Sequence, residues 1–311
     1  MATKKPKSTK TSKKSKSTKP KTAAKTAVKP VSEAPKTKPV DKKVTEITSS
    51  TKKSCFAGFF AKKYEGNESI FNVFKTPKFY GALLGELLGT ALITLFLFSI
   101  QLIGIANVAT YAIAITAIYT AVYGFSKACL NPIIVAGMMA TRRMSVIRGV
   151  MYIIAEVIGA WLGWLIFNSF HLAGGDSAYE VPTMTAIEEG KFWIMASVEL
   201  LGAIILAFFY ARALKSTRSV FTFAVTVAGG LGVAVVIGYV VSAAFLGLNN
   251  NFIFNPATAL MLKIFPTSGD NFGEIIGGIC QALSAYAVLP MIGGVLGFYL
   301  SEFTSRLSGE E

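Results

Sequence analysis

Two Asn-Pro pairs, each opening a short apolar segment, are the residues of this chain whose types and spacing point most directly to chemistry. They are Asn131-Pro132, followed by Ile133, and Asn255-Pro256, followed by Ala257. Asparagine is a strong helix N-cap, and proline at the first helical position gives up only an N–H that would have no partner within the helix. Each pair therefore predicts a helix start. The asparagine NH2 is then a donor that the oxygen of a water or a hydroxyl can accept.

The two segments, 131–140 and 255–265, are too short to cross a membrane. At 1.5 Å per residue each reaches about 15 Å, roughly half of the hydrocarbon thickness. They belong to an internal repeat, because Glu-Leu-Leu-Gly occurs at 86–89 and at 199–202, each time followed by another span and an Asn-Pro pair. Three spans per copy is an odd number, so the second copy is inverted. The half-helices should meet with their N-termini facing each other near the midplane.

Longer apolar stretches supply the frame that must position these half-helices. About 20 apolar residues span a bilayer core. The stretches of this length are 79–103, 108–126, 146–169, 191–213, 219–245 and 278–301. The sequence therefore predicts an all-α membrane protein with six transmembrane helices and two re-entrant half-helices in an inverted 3+3 repeat. The repeats occupy 78–170 and 190–303 of a channel domain at 78–303.

Charge separates this domain from an N-terminal tail. Residues 1–63 hold nineteen of the 31 Lys and Arg and only three acids, so the tail carries about +16 and the remainder about −2. A Lys/Ser/Thr/Pro-rich segment with few large apolar groups predicts disorder. Such a tail can bind anionic lipid, can bind nucleic acid, or can be a solvated extension without a partner.

Basic residues also set the predicted orientation. They cluster between spans two and three and between spans four and five, whereas the link between spans three and four is acidic. The positive-inside rule then places both termini on the cytoplasmic side, including a short C-terminus at 304–311. We expect a multi-pass protein of the plasma membrane. The basic residues concerned are Arg142, Arg143, Arg148, Arg212, Lys215 and Arg218.

Residues typical of enzymes are scarce. The chain has three widely spaced cysteines and one histidine, His171. This pattern gives neither a disulfide framework nor a zinc-ligand spacing. Histidine-based catalysis is improbable for the same reason. We therefore expect a protein that is not an enzyme and that has no metal or other cofactor.

The paired Asn-Pro boxes and the repeated Glu-Leu-Leu-Gly resemble the aquaporin and aquaglyceroporin family, the major intrinsic proteins, over about 78–303. The stretches 152–156 and 290–297 add to the resemblance. It implies an aquaporin-like helical bundle that assembles as a homotetramer with one pore per subunit. Asn131 and Asn255 would be the central donors of a pore for water or small neutral solutes such as glycerol. The positive ends of the converging half-helix dipoles would repel cations.

The outer filter that the resemblance implies is unusual. It consists of Tyr111, Ala243, Phe252 and Thr258. Relatives mostly carry an arginine where Thr258 stands, so we expect a wider, less polar and less ion-discriminating filter. By default, however, Tyr111 and Phe252 are ordinary packing residues of apolar segments. An insertion at 249–251 can shift the register of Ala243.

Three residues near the first box leave alternatives open. Ile133, where relatives have alanine, either narrows the pore or repacks against its neighbours. Lys127 either acts on ions at the cytoplasmic vestibule, by attracting anions, repelling cations or plugging the opening, or reaches the membrane interface with its ammonium group. Cys129 is by default a small buried side chain. If it lies near the pore, thiol reagents should reduce flux and Cys129→Ser should resist them.

Intramembrane carboxylates are costly and mark either function or a satisfied partner. Glu86 and Glu199 stand at equivalent positions of the repeat. By family resemblance they brace the half-helix loops through backbone N–H groups, and Glu156 does the same. Proton-relay carboxylates of an active transporter are the alternative.

Together these features predict a passive channel for water and small uncharged solutes. An ion- or anion-permeable channel of the same fold is one alternative, which the missing arginine and Lys127 favour. A closed-pore structural or adhesion protein is another, which Ile133 and the long tail favour.

Overall fold

The computed structural model describes residues 74–103, 108–175, 191–216, 219–246, 252–264 and 271–309. The predicted tail at 1–63 lies outside the described residues. The same holds for the acidic link at 176–190 and the last two residues of the predicted C-terminus.

Within these residues all regular secondary structure is helical. In chain order the α-helices are α1 Pro77–Ile103, α2 Val108–Ser126, α3 Pro132–Ala140, α4 Val146–Ala173, α5 Phe192–Ser216, α6 Val220–Val241, α7 Pro256–Ala259, α8 Phe272–Leu283 and α9 Leu289–Leu307. Three π-helical turns extend or join them: Ser242–Leu246 after α6, Leu260–Ile264 after α7, and Ser284–Val288 between α8 and α9.

Six helical spans in the described part of the chain, 19 to 36 residues long, are apolar enough to cross a membrane. This confirms the predicted fold class. The sixth span is longer than the predicted 278–301, because α8, its π turn and α9 run without a break over Phe272–Leu307. Its start is capped by Asn271, whose Oδ1 accepts the Glu274 N–H at 3.0 Å. A helix that begins in a polar segment is invisible to a hydropathy criterion.

The internal repeat is built into the packing of the spans. In each repeat, glycines of the third span meet backbone carbonyls of the first. A side chain at Gly159 would overlap the Leu87 carbonyl, and one at Gly293 would overlap the Leu200 carbonyl. Leu87 and Leu200 hold the same place in the two Glu-Leu-Leu-Gly motifs. Glycine therefore brings the backbones of α1 and α4, and of α5 and α9, into the same close crossing.

The two half-helices differ in length and regularity. α3 has nine α-helical residues, all but the last two buried. α7 has only four, all buried, and continues as the π turn Leu260–Ile264. Both begin at the predicted asparagines.

Large apolar side chains cover the outside of the bundle. Leu84, Leu88 and Leu92 follow one another at four-residue spacing on α1 and are 43–50% exposed. Ile154 and Ile158 form a similar row on α4. Exposed apolar surface on this scale suits lipid or another membrane protein rather than water.

Candidate functional site

Asn131 caps α3 with both its side chain and its backbone. Its Oδ1 accepts the Ile133 N–H at 3.0 Å, and its carbonyl accepts the Ile134 N–H at 3.0 Å. Pro132 occupies the first helical position, where no N–H is needed. Because Oδ1 is held by the helix end, the amide Nδ2 must point the other way.

Asn255 repeats this geometry at the start of α7, where its Oδ1 accepts the Ala257 N–H at 3.1 Å. The two asparagines then cross. Asn131 Nδ2 donates to the Phe254 carbonyl at 2.7 Å, and Asn255 Nδ2 donates to the Leu130 carbonyl at 3.0 Å. These bonds bring the two half-helix N-termini together. Each NH2 group carries two hydrogens, so one hydrogen of each amide remains for a ligand.

Two buried carboxylates hold the chain just before the asparagines. Glu86 on α1 accepts the Cys129 N–H at 3.0 Å and the Leu130 N–H at 2.6 Å. Glu199 on α5 accepts the Ile253 N–H at 2.6 Å and the Phe254 N–H at 3.1 Å. Each carboxylate thus uses both oxygens on two successive backbone donors. Both carboxylates therefore hold the backbone of the residues that precede the asparagines.

The residue before each asparagine has a left-handed backbone, with φ of 53° at Leu130 and 51° at Phe254. Residues other than glycine adopt this conformation only at a cost of order 1–3 kcal/mol. The carboxylate bond to the N–H of each residue helps to hold the conformation. The Glu-Leu-Leu-Gly repeat is therefore a device for keeping two strained residues in place.

The glycine of each motif makes room for the same strained residue. A side chain at Gly89 would overlap the Leu130 side chain, and one at Gly202 would overlap the Phe254 ring. This role was not part of the sequence interpretation. The signal for it is the fixed three-residue spacing from the bracing glutamate to the glycine in both copies.

Glu156 on α4 is a third brace that only the first repeat has. Its Oε1 accepts the Asn131 N–H at 2.8 Å. Glu156 lies three residues before Gly159, and the residue three before the equivalent Gly293 is Pro290. Proline has no side-chain acceptor, so Pro290 cannot make the equivalent bond in the second repeat.

A narrow central cavity of about 40 Å³ opens beside the crossed asparagines. One water needs about 10–15 Å³ of such space, so the cavity has room for a short file of waters. Four of the predicted site residues line it: Tyr111, Asn131, Phe252 and Asn255. The rest of the wall is mainly aliphatic and includes Ile93, Leu97, Ile115, Leu206 and Val227.

Two predicted filter residues lie elsewhere. Thr258 is fully buried and its hydroxyl lies 3.0 Å from that of Thr94 on α1, away from the cavity lining. A short side chain cannot extend into the central cavity as an arginine would, so its hydroxyl pairs with that of Thr94. Ala243 is exposed within the π turn Ser242–Leu246 and is also absent from the lining. A π turn adds a residue per turn and rotates the following positions, which ungapped spacing cannot anticipate.

Ile133 is fully buried and does not line the cavity. Its carbonyl and side chain pack against Gly294 of α9, where an added Cβ would overlap the Ile133 backbone. These contacts correspond to repacking against neighbours, the second of the two alternatives given for Ile133.

Lys127 opens onto a second, wider cavity of about 490 Å³. We call this the basic cavity, because Lys78, Lys127, Arg143 and Arg148 line it without an acidic residue among its lining. Arg143 pairs at 3.2 Å with Glu302, near the end of α9. The start of α1 and the end of α9 therefore lie at the same basic face of the bundle.

Cys129 lies between the two cavities and lines neither. It is fully buried, with its Sγ 3.6 Å from Met138 Sδ and 3.7 Å from the Tyr210 hydroxyl. Burial of this kind limits access of a thiol reagent.

Two tyrosines near Cys129 were not among the predicted site residues. Tyr119 on α2 lines the central cavity, and Tyr210 on α5 is fully buried behind it. A sequence signal exists for the first. Tyr111, Ile115 and Tyr119 recur at four-residue spacing, which puts them on one face of α2.

Comparison with known protein families gives one match. The family model described as "Major intrinsic protein" matches residues 73–300, which is more than half of the 311 residues. None of the curated proteins compared with the chain matches it.

Proposed function

Because the chain belongs to the major intrinsic protein family, whose members are channels for water or small solutes, we propose that it is a passive channel for water and small uncharged solutes such as glycerol. The pore runs from the central cavity, past Asn131 and Asn255, toward the basic cavity. Tyr111 and Phe252 form its filter on the face opposite to the basic one.

The crossed asparagine pair carries this proposal. Each amide donates one hydrogen to the carbonyl of the facing loop, and its second hydrogen remains available. Both residues line the central cavity. The amides are therefore fixed donors for the oxygen of a passing molecule. With the positive end of the α3 dipole beside them, they favour an oxygen lone pair and disfavour a cation.

Stopped-flow measurements on proteoliposomes test the proposal with water, glycerol and urea gradients. We expect swelling faster than in protein-free vesicles and no current across a planar bilayer. Asn131→Asp and Asn255→Asp keep a helix cap but replace the donor with an acceptor. Losing one such donor should lower solute permeability by about tenfold, the equivalent of about 1.4 kcal/mol.

Asn271→Asp is the matched control. Asn271 also caps a helix, α8, because its Oδ1 accepts the Glu274 N–H. It is exposed and does not line the central cavity. Its substitution should leave permeability unchanged. Unaltered swelling in both Asn131→Asp and Asn255→Asp, with monodisperse protein, would count against the asparagine pair as the pore centre.

An ion- or anion-permeable channel is a second candidate, supported by the four cations of the basic cavity and by Thr258 in place of an arginine. It predicts current carried by purified protein. If Lys127 attracts anions, Lys127→Gln should reduce that current. Swelling without current would exclude this candidate.

A closed-pore structural or adhesion protein is a third candidate, supported by the separation of the two cavities, which share no lining residue. It predicts no flux of any solute in the unmodified protein. Measurable solute-dependent swelling would exclude it.

The carboxylates Glu86, Glu199 and Glu156 act in this proposal as braces of the pore loops and not as a proton relay. Each accepts backbone N–H bonds. A relay would make transport depend on a proton gradient, whereas a brace would not. Swelling rates with and without such a gradient distinguish the two.

Orientation and assembly follow from the same proposal. We place the basic face and both termini in the cytoplasm of a plasma-membrane protein, by the positive-inside rule, and the channel in a homotetramer, by family resemblance. The tail at 1–63 binds anionic lipid through its lysines, with nucleic acid as the alternative partner. Protease protection tests the orientation, and native mass spectrometry tests the tetramer. Binding to vesicles and to nucleic acid, with and without residues 1–63, tests the role of the tail.

A further inference from the structure

An aromatic layer separates the central cavity from the basic cavity. Tyr119 of α2, Tyr210 of α5 and Phe223 of α6 form it. The Tyr210 and Phe223 ring centroids are 5.2 Å apart, and those of Tyr119 and Phe223 are 6.4 Å apart. Tyr119 lines the central cavity on one side of the layer, and Tyr123 lines the basic cavity on the other.

The two tyrosine hydroxyls in this layer donate hydrogen bonds to backbone carbonyls of the loop that leads to Asn131. Tyr119 donates to the Cys129 carbonyl at 3.2 Å, and Tyr210 donates to the Lys127 carbonyl at 3.0 Å. A carbonyl exposed to a pore would accept a hydrogen bond from a passing water or alcohol. Here each carbonyl accepts it from a phenol of the protein.

The residues that lie between the two cavities are buried. Ala128, Cys129 and Leu130 are each 0% exposed, as is Tyr210, and Tyr119 is 3% exposed. Leu130 lines the central cavity and Lys127 lines the basic cavity, whereas Ala128 and Cys129 between them line neither. Tyr119 and Tyr210 bond the carbonyls on either side of this buried pair.

We propose that Tyr119 and Tyr210 form the constriction that selects solutes in this pore. A permeating molecule opens it by donating its own O–H or N–H to the Lys127 and Cys129 carbonyls in place of the phenols. This inference rests on the proposed channel function and names its substrate class, small neutral molecules with hydrogen-bond donors.

The exchange explains why such molecules pass and others do not. A donor-bearing solute replaces one hydrogen bond with another of similar strength. A solute without donors leaves two buried carbonyls unpaired, and an unpaired buried polar group is costly. Selection then depends on the tyrosine pair on the basic side of the asparagines, and less on the filter residues Tyr111 and Phe252.

Tyr119→Phe and Tyr210→Phe test the proposal, because each removes a hydroxyl and keeps the ring. The closed state loses one hydrogen bond and keeps a buried carbonyl, whereas water can solvate that carbonyl in the open state. Each variant should raise water and glycerol permeability about fivefold, the equivalent of one typical net hydrogen bond, and the double variant should raise it further.

Tyr299→Phe is the matched control. The Tyr299 hydroxyl also donates to a backbone carbonyl of the same repeat, that of Ala140 at 3.0 Å, but it lines neither cavity. Its loss should leave permeability unchanged. An equal rise in all three variants would attribute the effect to general loosening and overturn the proposal.

A second measurement leaves the tyrosines intact. In a Cys55→Ser, Cys280→Ser background, Cys129 is the single thiol, and its Sγ lies 3.7 Å from the Tyr210 hydroxyl. Opening moves Tyr210 away from it. Glycerol should therefore speed methanethiosulfonate labelling of Cys129, whereas an equal osmolarity of sucrose, which is too large to enter, should not.

The outcomes separate this inference from the channel function. If the unmodified protein conducts, and both phenylalanine variants conduct equally or less, the tyrosine constriction is overturned and the channel stands. If the unmodified protein is silent and the double variant conducts, the tyrosines close the path to every solute, and the proposed exchange with donor-bearing solutes is overturned. If neither conducts and labelling does not respond to glycerol, both proposals fall.

Discussion

The two loops that lead to the asparagines share their bracing contacts and differ in their surroundings. We call residues 127–131 the first loop and residues 252–255 the second loop. In both, a glutamate oxygen pair accepts two successive N–H groups, a glycine makes room for the residue before the asparagine, and that residue has a left-handed backbone. These shared features fix the asparagine pair.

The differences lie in what surrounds each loop. The first loop has a third carboxylate, Glu156, and two of its carbonyls accept tyrosine hydroxyls. The second loop has Pro290 in place of that carboxylate, and its residues Phe252, Ile253 and Phe254 line the central cavity. The symmetric parts therefore hold the frame, whereas the asymmetric parts set how much of each loop lines the central cavity: all four residues of the second loop do, but only Leu130 and Asn131 of the first.

Removing a bracing oxygen tests the symmetric part and should have the largest effect. Glu86→Gln and Glu199→Gln each replace one accepting oxygen with an NH2 group that faces a buried N–H. Leaving one such donor without a partner costs about 1–3 kcal/mol, and both variants should lose this much stability. Apparent melting temperatures of the detergent-purified protein, followed by tryptophan fluorescence, measure the loss.

Glu156→Gln is the control for this comparison. Glu156 accepts only one backbone N–H, through Oε1, and glutamine keeps one accepting oxygen. Its melting temperature should stay closer to that of the unmodified protein than those of the other two variants. A Glu156→Gln loss equal to the Glu86→Gln loss would show that the geometry of the braces does not set their contribution.

Filling the two motif glycines should have the next largest effect and should separate the loops. Gly202→Ala would push on the rigid Phe254 ring, whereas Gly89→Ala would push on the tips of the flexible Leu130 side chain. Overpacking a well-packed core typically costs 1–3 kcal/mol. We expect the larger loss of stability and of solute permeability in Gly202→Ala, because a rigid ring has fewer ways to yield than the ends of a leucine side chain.

Gly229→Ala provides the reference for the glycine pair, since Gly229 on α6 has no atom within 4 Å of an added Cβ. Alanine there should be neutral or slightly stabilising in a helix. If Gly89→Ala were as damaging as Gly202→Ala, the two loops would be equally rigid.

The fold was predictable because its signals are local and strong. Span length, the repeated Glu-Leu-Leu-Gly and the Asn-Pro caps each have a direct physical meaning in the sequence. They led to the helical spans and the half-helix starts, whereas the bracing role of Glu86 and Glu199 came from the family resemblance. The inversion of the repeat predicted that the half-helix N-termini would face each other, but not that each asparagine would bond the opposite loop.

The details of the pore wall were harder to predict because they depend on rotation and pairing. Ala243 lies in a π turn and does not line the central cavity, and the Thr258 hydroxyl pairs with that of Thr94. The tyrosine layer requires Tyr119 and Tyr210, ninety-one positions apart in sequence, to reach the same loop from different helices. No local pattern shows that two side chains on different helices share one partner.

Thiol labelling compares the accessibility of the two loops and should have the smallest effect on the protein itself. Cys129 of the first loop and Ile253 of the second stand two residues before their asparagines. Cys129 is fully buried, whereas Ile253 lines the central cavity and is partly exposed. In a Cys55→Ser, Cys129→Ser, Cys280→Ser background, Ile253→Cys should react with a small methanethiosulfonate reagent at least about tenfold faster than Cys129 does alone, because reaction requires access to the thiol.

Flux measured after labelling completes this comparison. Modification of Ile253→Cys should block the central cavity, whereas the reagent should leave flux through the Cys129 protein nearly unchanged during the same exposure. This reverses the expectation that the sequence position of Cys129 alone suggests. Equal labelling rates at the two positions would mean that the first loop is as open as the second. The contrast between the two loops in how much of each lines the central cavity would then no longer describe the molecule.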